Sequence, residues 1–498
     1  MPSPYACDPV GNMRARTASV MGLVLALAGC GADRRPPPQP AAPRVATVVQ
    51  DDAEMLYRSQ AQLAATLDDL RDLGVDWVRV TAGWSGTAPD PRAAQRPDFD
   101  AADPGAYPAG AWSRLDRAVR MARERGLEVA IDIAFWAPRW AVARAGPEVD
   151  RQRDSIDVAA YADFAEAVAR RYPYAVAFTV WNEPNLGVFW LPQFQRTAGG
   201  WEPAAPHRYR AMVQATVPRI RAAAPRALVL IGATSSLGAD VGTDADDRMS
   251  PLTFVREMAC VDEQLEPLDR PECRAFRSLP GDGWSHHPYS SELRPWEHDP
   301  EPGTARMGDL GRLSALLGRL HAAGRTRKRL PLYLTEYGYQ TNPPDPTWDT
   351  TLAEQARWLS EAERIARAEP TVRSVSQFLV RDLPERPGAD ARTRWRDYQS
   401  GLRFESGEPK PAHAAYALPL VARRAGPGRV AFWGLVRPGA ERREARLAIR
   451  APDGSWRTLA RPRTREDGTF EVTAGADPAG TFRLESGGRT GAPLVGAR

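Results

Sequence analysis

The sequence predicts an α/β chain organised as a (β/α)8 barrel, a TIM barrel, followed by a small all-β, sandwich-like domain. Three observations carry this. From about residue 45 to 425, eight short apolar runs alternate with amphipathic runs of helical period, the alternation that builds a parallel sheet covered by helices. No glycine-rich phosphate loop follows the first run, which weighs against a doubly wound open sheet. From about residue 427 the pattern changes to short apolar runs separated by turn dipeptides.

The expected strands of the barrel are 45–49, 77–82, 128–134, 176–181, 227–232, 283–287, 332–336 and 374–379. Between the first two, Leu63, Leu67 and Leu70 recur at helical spacing over 57–73; Leu115, Val119 and Ala122 do the same over 112–125. Further helices are expected near 158–171, 207–223, 308–323, 352–368 and 410–421. In the C-terminal part, strands are expected at 430–436, 445–450, 470–473 and 481–484. Pro438-Gly439, Pro452-Asp453-Gly454 and Asp467-Gly468 mark the turns between them. The domain reading is therefore 45–425 for the barrel and 427–498 for the β-domain.

The first 44 residues read as targeting and spacer. Arg14 and Arg16 open a basic stretch, with Met13 the expected start, and 18–28 is an apolar run too short for a membrane span. It ends Leu27-Ala28-Gly29-Cys30, which resembles the lipobox of bacterial lipoproteins. That resemblance implies a signal segment over 1–30, lipidation of Cys30 and a membrane partner through that lipid. Residues 31–44 follow as a proline-rich linker; its extended stretch Pro36 to Pro43, at ~3.1 Å per residue, would hold the body roughly 25 Å from the anchor. Cys260 and Cys273 are expected to pair, because an exported chain meets oxidant. Closing that loop stabilises by about 3 kcal/mol on chain-entropy grounds.

Composition excludes other classes. The 498 residues carry a net charge of +4, and arginines and acids are interspersed without the basic stripe that nucleic acid requires. Lys328 and Lys410 are the only lysines. No CxxC or histidine cluster accompanies Cys260 and Cys273, so zinc is not expected there; no other metal and no organic cofactor is implied.

Chemistry concentrates in two glutamates, each at the end of a strand-like run: Glu183 in Trp181-Asn182-Glu183-Pro184-Asn185, and Glu336 in Leu334-Thr335-Glu336-Tyr337-Gly338. In a barrel both would rim the same mouth. Two acids so placed can cleave a glycosidic bond, one protonating the leaving oxygen and the other attacking or activating water.

These motifs, at the fourth and seventh strands, resemble the retaining glycoside hydrolases of the large barrel clan that includes cellulases, β-xylosidases and iduronidases. The resemblance implies Glu183 as acid/base, Glu336 as nucleophile and Asn182 as a contact to the sugar 2-hydroxyl. Arg79 on the second strand would point into the mouth and pair with Glu336. At the sixth strand, in Ser285-His286-His287-Pro288-Tyr289, the resemblance points to His287 and Tyr289 as a substrate contact and a hydrogen bond to the nucleophile. His286 is the alternative to the first, and Tyr337 to the second.

Among the loop tryptophans, Trp136 and Trp140 are the expected sugar platforms. Many clan members place tryptophan near the end of strand eight; here that position reads Gln377-Phe378-Leu379, leaving Phe378 or a loop aromatic to serve. The function expected is an exported, lipid-anchored hydrolase that cleaves β-glycosides, oligosaccharides or polysaccharides with retention. The alternatives are a non-catalytic carbohydrate-binding lipoprotein and a transglycosylase on the same barrel.

Overall fold

A computed structural model describes residues 44–498, apart from 149, 387–389, 396–397 and 440. The expected signal segment, Cys30 and the expected linker up to residue 43 lie outside the described residues. Eight parallel strands close into a barrel: β1 (Ala46–Gln50), β2 (Trp77–Gly83), β3 (Glu128–Ala134), β4 (Ala177–Val180), β5 (Leu228–Ser235), β6 (Gly283–His287), β7 (Leu332–Leu334) and β8 (Val372–Phe378). Closure comes from β1 pairing with both β2 and β8, which rules out the open sheet.

The helices between strands start where the sequence provides caps. Ser59 and Gln62 form a capping box ahead of Gln60–Leu73, and Thr351 and Glu354 form one ahead of Leu352–Ala368. Asp157 caps Val158–Arg171 by accepting from the amides of Ala159 and Ala160. Two helices are also tied to the barrel through buried tyrosines. Tyr161 donates to the Ile133 carbonyl at 2.6 Å and accepts from the Trp181 amide; Tyr209 donates to Val180 at 2.6 Å and accepts from Gly232. Both ties fall where β4 opens into the loop that carries Glu183.

Period-two alternation sorts the barrel interior into layers. Ala130, Ala177, Leu230 and Tyr333 form a buried apolar cluster. Tyr333 fits because Gly283 has no side chain: a Cβ there would lie 2.4 Å from the tyrosine ring. Two residues along the same face of β2 and β3 stand Arg79 and Asp132, both wholly buried. The interior thus becomes polar toward the strand C-termini, where the glutamates sit.

After β8 the chain departs from expectation. The predicted helix over 410–421 ends at Ala417, because Pro419 lacks the amide needed to continue it. Residues Leu420–Arg424 instead form a strand that pairs with Arg429–Leu435, which in turn pairs with Thr469–Gly475. The all-β region therefore begins at residue 420 rather than 427. A second antiparallel sheet contains Arg446–Arg450, Trp456–Ala460 and Thr481–Ser486. Barrel and sheets share one hydrophobic cluster, and residues 43–498 form one compact unit. Gly74 marks a close approach between them. It ends its helix at φ 81°, and a Cβ there would lie 2.5 Å from the Pro438 nitrogen. Buried Arg437 bridges the same seam, 2.7 Å from Glu363 and over the ring of Tyr416.

Cys260 and Cys273 are disulfide-bonded. No helix among the described residues is long and apolar enough to cross a membrane.

Candidate active site

Glu183 and Glu336 face a cavity of about 670 Å³ at the C-terminal mouth of the barrel. Glu183 is placed by unusual backbone. Trp181 and Glu183 both have positive φ, 62° and 39°, a conformation that costs non-glycine residues free energy. The surroundings hold it: the Glu183 amide donates to Ala233 and the Trp181 amide to Ile133. The turn lifts the Glu183 carboxyl into the cavity directly beyond β4. Glu336 lies two residues beyond the end of β7, a strand shorter than the sequence suggested.

Arg79 organises the interior. One guanidinium nitrogen donates to Glu336 Oε1 at 2.8 Å and to Gln50 Oε1; the other donates to Asn182 Oδ1 at 3.3 Å and lies 2.8 Å from Asp132 Oδ1. This is the Glu336 partnership expected of Arg79, with more partners than the sequence reading allowed. Buried arginine is tolerable because acids surround it. The acids respond in turn. Burial, opposed by Arg79 and reinforced by the charge of Glu336, pushes Asp132 up to about 7.

The two glutamates meet different neighbours. Glu336 Oε2 accepts from the Tyr289 hydroxyl at 3.1 Å, so this carboxylate is held by a cation on one oxygen and a phenol on the other. Glu183 shares a 2.9 Å hydrogen bond with His287 Nδ1, and no arginine among the described residues pairs with it. Burial pushes its carboxyl up to about 8, with Arg79 at longer range pulling the other way. Burial also pushes His287 down to about 4, so the ring beside Glu183 is neutral at pH 7. His287 Nδ1 lies 3.6 Å from Glu336 Oε2 as well. The nearest oxygens of the two glutamates are therefore separated by no more than the sum of those two contacts. That places them no wider than the narrow end of the ~6.5–9.5 Å spacing that accommodates a water between inverting carboxylates.

The alternatives at strand six separate cleanly. His286 Nε2 donates to the Ala305 carbonyl at 2.6 Å, leaving Nδ1 to accept from Thr234 at 2.9 Å. Both ring nitrogens are thus spent outside the cavity. A register shift between Ser285 and His286 accompanies this arrangement, and His287 is the residue turned to the glutamates. Tyr337 hydrogen-bonds Ser290 and stacks on Tyr289, 6.4 Å between centroids, rather than reaching Glu336.

The tryptophans divide. Trp136 lines the cavity and stacks on Phe189, 5.4 Å between centroids and 17° between planes. Trp140 does not line it, contrary to expectation. Its indole donates to the Pro89 carbonyl at 3.2 Å and its ring stands edge-on to Trp84 at 6.0 Å, so it pins the loop after β2 to the barrel. At strand eight, Phe378 lines the cavity edge-on to Tyr398, 5.2 Å away. Gln50, Asp52, Asp132 and Tyr398 were missed by the sequence reading. Only Asp132 gave a signal, a lone acid inside the apolar run of β3.

Residues 44–307 match the model of the cellulase family, glycosyl hydrolase family 5. The chain belongs to this family. It is a glycoside hydrolase, and the cavity that holds both glutamates is its candidate active site. A family 39 glycoside hydrolase from the gut symbiont Bacteroides cellulosilyticus WH2 shares the fold: TM-score 0.51, 13% identity, 88% of this chain and 81% of that one covered. A GH5_18 structure from Streptomyces cattleya, in complex with GlcNAc, gives a TM-score of 0.48 at 18% identity over 76% of this chain and 79% of that one. At 13% identity the first of these likenesses is one of fold. No curated protein sequence matches the chain.

Proposed function

We propose that this family 5 glycoside hydrolase cleaves β-glycosides with retention, by double displacement. Glu336 attacks the anomeric carbon while Glu183 protonates the leaving oxygen; Glu183 then deprotonates the water that releases the sugar from Glu336. The observation that carries this reading is the unequal environment of the two acids. Glu183 is buried beside a neutral imidazole and holds its proton at neutral pH. Glu336 is gripped by Arg79 and Tyr289, donors that favour a carboxylate. Asn182 is positioned by Arg79 to reach the 2-hydroxyl of the bound sugar, a contact that strengthens in the transition state. Trp136 is the proposed stacking platform.

The test is kinetic. Glu183→Ala should spare the first step with aryl glycosides of good leaving ability and recover turnover with azide, giving the β-glycosyl azide. A glycosyl azide of inverted configuration, or no azide effect, would overturn the assignment. The lipobox-like run ending in Cys30 supports a further proposal: the enzyme is exported and anchored to a membrane by lipid. Metabolic labelling with a radioactive fatty acid should mark the wild type and leave Cys30→Ala unmarked; equal labelling of both would refute anchoring at Cys30.

A further inference from the structure

Arg79 fixes the polarity of two side-chain amides, and one of them has no role in the reading above. An amide carboxamide presents an acceptor at one end and a donor at the other. A guanidinium only donates, so the oxygens of both Gln50 and Asn182 must face it. Their NH2 groups consequently face away from Arg79. For Gln50, at the end of β1, that direction is the cavity it lines. Two residues on stands Asp52, half-buried and also lining the cavity. Its Oδ1 accepts the Thr81 amide at 3.0 Å, which locks the side chain to β2. A carboxylate offers about four acceptor positions, so this bond leaves capacity. The intervening Asp51 is different: its carboxylate is buried and occupied by the amides of Glu54, Val380 and Arg381.

We propose that Gln50 and Asp52 form a second hydroxyl clasp in the substrate cavity, on the far side of Arg79 from Asn182. The Gln50 amide donates to one sugar oxygen and the Asp52 carboxyl accepts from the hydroxyl beside it. The clasp selects a neutral sugar with two adjacent free hydroxyls next to the bond being broken. An acidic sugar is disfavoured there, because Asp52, Asp132 and Glu336 already surround one guanidinium. The inference rests on the glycosidase reading and names part of its substrate.

The test pairs side chains with hydroxyls, using a panel of 4-nitrophenyl β-glycosides and the monodeoxy analogues of the one the wild type turns over best. Asp52→Asn retains an oxygen for the Thr81 amide. It should lower kcat/KM about 10- to 100-fold on the parent glycoside, yet under about 3-fold on the analogue lacking the hydroxyl it binds. Gln50→Met, a second variant, should show the same coupling to the neighbouring position. Losses of equal size on the parent and on every deoxy analogue would make both residues structural and overturn the clasp. A wild type that turns over none of the panel would overturn the functional reading, and the clasp with it.

Discussion

Glu183 and Glu336 are the same residue type in one cavity, yet they meet opposite surroundings. Glu336 has two strong donors, Arg79 and Tyr289, one on each oxygen. Glu183 has the neutral His287 as its hydrogen-bond partner, and burial raises its carboxyl to about 8. Sequence position does not explain the contrast, since each follows a barrel strand. What differs is which neighbouring strand supplies the partner. The side chain of Arg79 on β2 reaches Glu336 directly and Glu183 only through space. A single arginine therefore distinguishes the acids, gripping one directly and leaving the other to the effect of desolvation.

The largest break in this contrast should come from Glu336→Gln, which removes the proposed nucleophile and should lower kcat by at least about 10⁴-fold. Next is Arg79→Lys, which loses the fork that holds Glu336, Gln50 and Asn182 together. It should cost about 10²-fold in kcat/KM, with lowered stability in urea unfolding. Tyr289→Phe removes one neutral donor from Glu336 and should cost about 10-fold, read as kcat/KM on an aryl glycoside. If Tyr289→Phe matched Glu336→Gln, the two-donor account of Glu336 would be wrong.

The pH dependence sharpens the other half. Glu183 holds a proton in the native state that the unfolded chain releases above its ordinary value of ~4.3. Stability from this group is therefore greatest at low pH and falls as pH rises toward about 8. His287 acts in the opposite sense. Its native value near 4 lies below the unfolded ~6.5, so its contribution is lost as pH falls through that interval. Glu183→Gln should flatten the alkaline decline, with a gain on the order of 1–2 kcal/mol at pH 8 in urea titrations. The alkaline limb of wild-type activity should fall near pH 8 and disappear in Glu183→Ala with an activated substrate. The smallest effect on activity is expected from Trp140→Ala, which should lower stability by about 3 kcal/mol while leaving KM unchanged; Trp136→Ala should do the reverse.

Much of the fold was legible because both periodicities were strong. Every barrel strand lies within a few residues of its expected place, and the pairing of Cys260 with Cys273 followed from the expectation that an exported chain meets oxidant. The strand at 420–424 was hidden because its apolar residues continue the helical run before Pro419. Trp140 was misplaced since composition cannot say which way a loop ring turns; its hydrogen bond to Pro89 decides that. Gln50 and Asp52 were invisible for another reason. Their significance comes from facing Arg79 and Thr81 across the β1–β2 pairing, a relation between strands and not a motif along one. His287 rather than His286 was open until the register shift in β6 settled it.

Glu336, the acid held by two donors, is the one proposed to bond to sugar. The most direct measurement is peptide mass spectrometry after inactivation with an activated 2-deoxy-2-fluoro β-glycoside, which slows release of the covalent intermediate. One glycosyl group per chain is expected, on the peptide carrying Glu336, with no label in Glu336→Gln. A glycosyl group on Glu183, or steady turnover with no adduct at all, would contradict it.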